Sequence, residues 1–221
     1  MVKTAEERIT QSRVRLLLTK PFFGQLAVRL KIEDASDYMP TAATDGRRFL
    51  FNRDFVNSLT DDMLDFLVGH EVLHCVFDHM QARGDRKPML YNAAADYNIN
   101  MTLVEQNIGK PITEDKLEGG KICLDWKYSG WNSYEIYDDL LKNQQDAKGM
   151  DVHMNEISNE DGEGEGQNVE MSEEEKKMLA DEIKQATIQA AQAAGEGVPD
   201  AIKRMISELV APKMDWRDIL R

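Results

Sequence analysis

Cysteine is scarce in this chain: Cys75 and Cys123 are the only two among 221 residues. Two thiols do not make a disulfide framework, which argues against a small secreted scaffold and for a reducing, cytoplasmic setting. No run approaches the roughly 18 uninterrupted apolar residues of a membrane-spanning helix. The opening residues, Met-Val-Lys-Thr-Ala-Glu-Glu-Arg-Ile-Thr10, lack the apolar stretch of a secretion signal. Basic residues are outnumbered, 27 Lys and Arg against 40 Asp and Glu, for a formal net charge of −13. Such a balance argues against nucleic-acid binding, which depends on neutralising phosphates. What is present, 42% hydrophobic residues over this length, suffices for one well-cored soluble domain with extensions.

Histidine is also rare, four in all, yet two of the four stand in His70-Glu-Val-Leu-His74, inside the apolar stretch 63–77. Chance produces His-Glu-x-x-His on the order of once per hundred chains with this histidine content. Four residues are about 400° of helix, so His70 and His74 share a face one turn apart, where two imidazoles can grip one zinc ion. Glu71 then lies beside whatever water the metal holds. Thr60 is a suitable N-cap, Asp61 and Asp62 suit the positive end of a helix, and no proline intervenes before Pro88. A helix over about 61–80, apolar almost all round, is expected to be buried. Buried polar groups need partners or a metal.

A catalytic zinc site usually takes three protein ligands and a water. Pro88 opens a second helical stretch to about residue 106, in which Asn92, Asp96 and Asn100 recur every four residues on an otherwise small and apolar surface. Solvated helix faces elsewhere in the chain carry Lys, Glu and Arg. A lone Asp between short amides is therefore the expected third ligand, with Asn92 and Asn100 holding the ligands from behind. Two histidines compete with Asp96. His79, nine residues from His70, points to the far side of a continuous helix. The longer zinc motif also fails, because Phe77 and Met80 occupy its glycine and third-histidine positions. His153 borders the acidic stretch described below. Cys75 reads as a small buried side chain rather than a ligand.

These motifs, together with Pro40-Thr-Ala-Ala-Thr-Asp-Gly-Arg47, Phe51-Asn-Arg-Asp-Phe55, Ser133-Tyr-Glu-Ile-Tyr-Asp-Asp-Leu140 and Pro212-Lys-Met-Asp-Trp-Arg-Asp-Ile-Leu220, resemble a metallopeptidase domain of bacteria and phages. In that family the domain usually precedes a von Willebrand factor A-like domain. The resemblance covers most of residues 5–145 and resumes near the end. It implies a zincin-like α+β fold with His70, Glu71, His74 and Asp96 at the metal. It also implies a C-terminal von Willebrand factor A-like domain as a partner, and an AAA+ ATPase encoded nearby. One departure is Tyr91, where relatives commonly have Trp.

Along the chain, residues 5–18 have helical spacing, Leu26 to Ile32 alternates as a half-buried strand would, and Phe49–Phe51 forms a second strand after the turn at Thr44-Asp-Gly46. A hairpin is expected between Pro111 and Tyr128, then a helix capped by Ser133 running to about Lys142. With the resemblance, these elements lead to the expectation that residues 1–145 are a zincin-like metallopeptidase domain. The run from Glu156 to Glu175 carries no basic residue and reads as a flexible acidic linker, placed at 146–171. Residues 172–221 form a C-terminal helical extension: Ser172 caps a helix to about Ala194, Gly195 and Gly197 end it, and Pro199 opens another to about Val210. An amphipathic element begins at Met214 and stops at Arg221, as if it led into a further domain.

The expected chemistry is peptide hydrolysis on a protein or peptide substrate, with one zinc per chain and Glu71 as general base. Tyr91, Tyr97, Tyr128 and His79 are candidates to stabilise the oxyanion, and the strand at Phe49–Phe51 is a candidate edge for an extended peptide. The main alternative is a catalytically silent or latent metal-containing scaffold, which has no need of a non-ligating Glu71. A hydrolase of non-peptide amides or of DNA-bound adducts would call for a basic stripe, whereas Lys and Arg are scattered here.

Overall fold

The computed structural model describes residues 3–117, 122–143 and 171–210. Local signals set most helix ends. Thr4 accepts a hydrogen bond from the Glu7 N–H while the Glu7 carboxylate accepts from the Thr4 N–H, a reciprocal box that starts α1 (Ala5–Thr19). The same device starts α7 (Ser133–Lys142) through Asn132 and Glu135, and α8 (Glu173–Ala194) through Ser172 and Glu175. Asn132, not Ser133, is thus the cap of α7. After α1, Pro21 begins the short α2 (Pro21–Ala27).

The expected strand at 26–32 is displaced. Its apolar residues Leu26 and Ala27 finish α2, a turn follows, and the strand itself is β1 (Lys31–Asp34). Phe22, Phe23 and Leu26 need a one-sided burial surface, and a helix packed on α1 supplies it. Next come β2 (Ala42–Thr44), which the sequence reading did not separate from the turn, and β3 (Arg48–Phe51). The sheet order is β1-β3-β2, with β1 parallel and β2 antiparallel to β3. Phe49–Phe51 is therefore the central strand and not an edge, because hydrogen bonds occupy both its sides. Its alternation serves two cores: Phe49 and Phe51 join the main cluster, and Leu50 packs with Ala35, Met39 and Ala43 on the opposite face.

Asn52 caps α3 (Arg53–Ser58), and Thr60 accepts from the Met63 N–H to start α4 (Asp61–Val76). α1 is tied to this junction: Arg8 donates to the Val56 and Leu59 carbonyls and to Asp61, and Arg15 bonds Asp65. From Phe66 to Val76 every residue of α4 is buried, as its apolar circumference requires. The helix is shorter than the sequence suggested. Asp78 adopts a left-handed conformation (φ 53°), breaks it, and starts the single turn α5 (His79–Ala82). α6 (Pro88–Glu105) packs on α4 and α7. Between α6 and α7 the described residues form two 3-10 turns, 114–116 and 126–128, and no hairpin strands. α8 lies across α2 and α4, burying Leu179, Ala186, Thr187 and Ala190, and α9 (Asp200–Val210) adds Ile202 to the same core.

The result is an α-rich α+β fold with one small mixed sheet. No helix among the described residues is long and apolar enough to cross a membrane. The acidic run at 146–170, His153 within it, and the element from Met214 lie outside the described residues.

Candidate metal centre

α4 and α6 bring His70, His74 and Asp96 together, all three at most 1% exposed. The Nε2 atoms of His70 and His74 are 2.9 Å apart, and Asp96 Oδ1 lies 3.5 and 3.4 Å from them. A tetrahedral zinc site with bonds near 2.0–2.1 Å has ligand–ligand edges of about 3.3–3.4 Å. The triangle has the dimensions of three ligands around one small cation. Burial opposes the charge on Asp96, but the two imidazoles outweigh it and hold its carboxyl far below the usual carboxylate range. The donor set is therefore one carboxylate and two imidazole nitrogens, a combination suited to zinc or a neighbouring divalent metal.

The orientation of His70 follows from its support. Asn100 donates from Nδ2 to the Cys123 carbonyl, which directs its Oδ1 at His70 Nδ1, 2.9 Å away. An amide oxygen accepts only, so His70 carries a proton on Nδ1 and turns Nε2 toward Asp96. Asn100 thus stands where the four-residue stripe placed it. Asn92, on the same stripe, is half-buried near the start of α6.

Glu71 follows His70 on α4 and is 1% exposed, with both carboxylate oxygens sealed from solvent. Cys75 is outside the cluster. Its thiol, which burial pushes up to about 12, bonds the Glu71 carbonyl and Thr44 Oγ1 on β2.

His79 is the residue the sequence reading misplaced. On a continuous helix it would face away from the site. Because Asp78 breaks the helix, His79 turns back until its Nδ1 is 3.3 Å from His74 Nδ1. The available signal was the end of the apolar run at Phe77, followed by ten residues, 78–87, in which Met80 and Ala82 are the apolar side chains. Of the tyrosines considered for the oxyanion, Tyr128 commits its hydroxyl to Asp139. Tyr91 is buried against the rings of His79, Tyr134 and Tyr137, and burial raises its pKa. Tyr97 is half-buried beside Tyr128, and burial pushes its hydroxyl up to about 12.

Two helices presenting a buried His/His/Asp triangle of metal-ligand dimensions, next to a small mixed sheet, define a candidate metal-binding α+β domain. No curated protein and no solved structure matches the chain. It belongs to the family described as a putative metallopeptidase domain, matching it over residues 4–221.

Proposed function

We propose that this protein is a zinc-dependent peptidase of zincin-like type, with His70, His74 and Asp96 as the metal ligands and Glu71 as the general base. The observation that carries the reading is the ligand triangle of 2.9, 3.4 and 3.5 Å with a buried glutamate one residue along the helix. A divalent cation held there would supply Lewis acidity, polarising a peptide carbonyl and acidifying a water near neutral pH. Glu71 removes the proton from the attacking water and delivers it to the departing amine, so one carboxylate serves both halves of the hydrolysis. Its burial keeps bulk water from competing for that proton. His70 is held by Asn100 with Nε2 unprotonated, which leaves a lone pair rather than a charge facing the cation.

The test is Glu71→Gln in the full chain. Metal analysis should find about one zinc in both wild type and variant, since Glu71 is not a ligand. Cleavage of a fluorescent casein should fall by about 10² or more, the scale of a lost general base. Undiminished cleavage by Glu71→Gln would refute the role assigned to it, and loss of zinc would make Glu71 a ligand.

A further inference from the structure

The helix break at Asp78 costs the chain a left-handed aspartate, and what it achieves is local and specific. Residues 74 and 79 are five apart, about 500° on a continuous helix, so their side chains would diverge. With φ of 53° at Asp78 they meet instead, Nδ1 to Nδ1 at 3.3 Å. The far nitrogen of His79, Nε2, lies 2.7 Å from Ser133 Oγ at the start of α7. The His79 ring is 7% exposed and boxed by Phe77, His74 and Tyr91, at centroid separations of 5.5, 5.3 and 6.1 Å.

We infer that His79 is a positioning residue of the metal centre, accepting the Nδ1 proton of His74 and anchoring it to Ser133. This rests on the metal-centre reading above. Once His74 gives its Nε2 lone pair to a cation, its proton must sit on Nδ1, and that N–H needs an acceptor in a buried site. His79 supplies it through Nδ1, which places the His79 proton on Nε2, where it donates to Ser133 Oγ. Each ring N–H in this chain meets an acceptor, and the tautomer of each ring follows from the one before. The two metal-site histidines are then held alike: His70 through Asn100 to the Cys123 carbonyl, His74 through His79 to Ser133. Both acceptors are neutral. Neither imidazole is pushed toward imidazolate character, so the cation keeps more of its Lewis acidity than it would with carboxylates behind its ligands. Both anchors also belong to residues 122–133, so this one segment sets the orientation of both rings.

The experiment compares wild type, His79→Ala, His79→Asn and Ser133→Ala in the full chain, by competitive zinc titration and by the visible spectrum of the cobalt-substituted protein. Ser133→Ala spares the helix cap, which Asn132 provides. His79→Ala should weaken zinc by roughly 10–100-fold, the usual scale for removing a residue behind a metal ligand, with one zinc still bound at saturation. Its cobalt bands should shift, because the orientation of His74 changes. His79→Asn, whose Oδ1 stands near the lost Nδ1 and accepts from His74, should recover most of that affinity. Ser133→Ala should weaken zinc less than His79→Ala. Unchanged affinity and spectrum in His79→Ala would overturn the inference while leaving the metal site standing. Complete loss of zinc at saturation with the fold intact would overturn it by making His79 a ligand. A wild type that binds no zinc or cobalt would overturn the metal-centre reading and this inference with it.

Discussion

Replacing Gly109 with alanine separates backbone conformation from crowding, because Gly130 offers a matched control. Both glycines have positive φ, 55° and 75°. An L side chain in that region costs about 1–2 kcal/mol wherever it occurs. At Gly130 that is the whole cost, since an added Cβ meets nothing within 4 Å. At Gly109 the Cβ would lie 2.1 Å from the Asp62 carbonyl oxygen and 2.6 Å from the Phe66 nitrogen. Both are backbone atoms of α4, so no side chain can swing aside. The segment must retreat, giving up the 3.0 Å hydrogen bond from Lys110 N–H to Asp62 O, worth about 1 kcal/mol. Repacking of the overfilled contact adds about 1–3 kcal/mol.

Gly109→Ala should therefore destabilise by roughly 4 kcal/mol against about 1 for Gly130→Ala. At 2–4 °C per kcal/mol for a chain of this size, the difference in Tm is on the order of 10 °C. Thermal unfolding followed by far-ultraviolet circular dichroism measures it. Zinc affinity should fall too, because Ile108, next in the chain, packs at Gly69 beside His70. Equal losses of Tm in the two variants would refute the claim that close approach to α4, rather than φ alone, requires glycine at 109.

Asp96→Ala should abolish zinc binding, while Cys75→Ala retains it, by metal analysis of purified protein; retention in Asp96→Ala would require another third ligand. Asp78→Asn should raise Tm at pH 7.5, because burial pushes the Asp78 carboxyl up to about 6 and its charge then opposes folding. The sign is that of a raised acid pKa: stability is lost as pH rises from about 4, the unfolded value, through about 6. At pH 5 Asp78 is largely protonated, so the gain in Tm should shrink; a gain independent of pH would point to the left-handed backbone alone, which asparagine also tolerates. Arg13→Met should leave Tm unchanged or raise it by a few degrees. Arg13 is 8% exposed with its guanidinium over the Phe49 ring, burial lowers its pKa to about 10, and no ion pair among the described residues includes it. A fall of Tm by several degrees would show that Arg13 contributes stability that its surroundings do not reveal.

The meeting of His70, His74 and Asp96 was readable from spacing because each follows a helical repeat: His70 and His74 one turn apart on α4, Asp96 on the four-residue stripe of α6 with Asn100. Helix starts were readable at Thr60 and Ser172, where a side chain bonds its own first turn, but not at Asn52 or Asn132, which use the same device. Strand assignment fared worse. Leu26 and Ala27 alternate plausibly as a strand but lie in α2, since so short an apolar run fits either period and its neighbours decide. β3 could be recognised as a strand from its pattern, but its central place in the sheet depends on pairing with β1 and β2.

His79 marks the boundary most sharply. Composition and spacing alone establish that this chain carries a buried His-Glu-x-x-His helix and a second helix with a carboxylate at ligand spacing, because helical periodicity is local and needs no partner. How far α4 extends before Asp78 turns it, which way His79 then faces, and whether Asn100 and Ser133 reach the two imidazoles depend on contacts between residues 30 and 54 positions apart in the chain. Such contacts leave no periodic trace in a single sequence. They exist only once α4, α6 and α7 have packed.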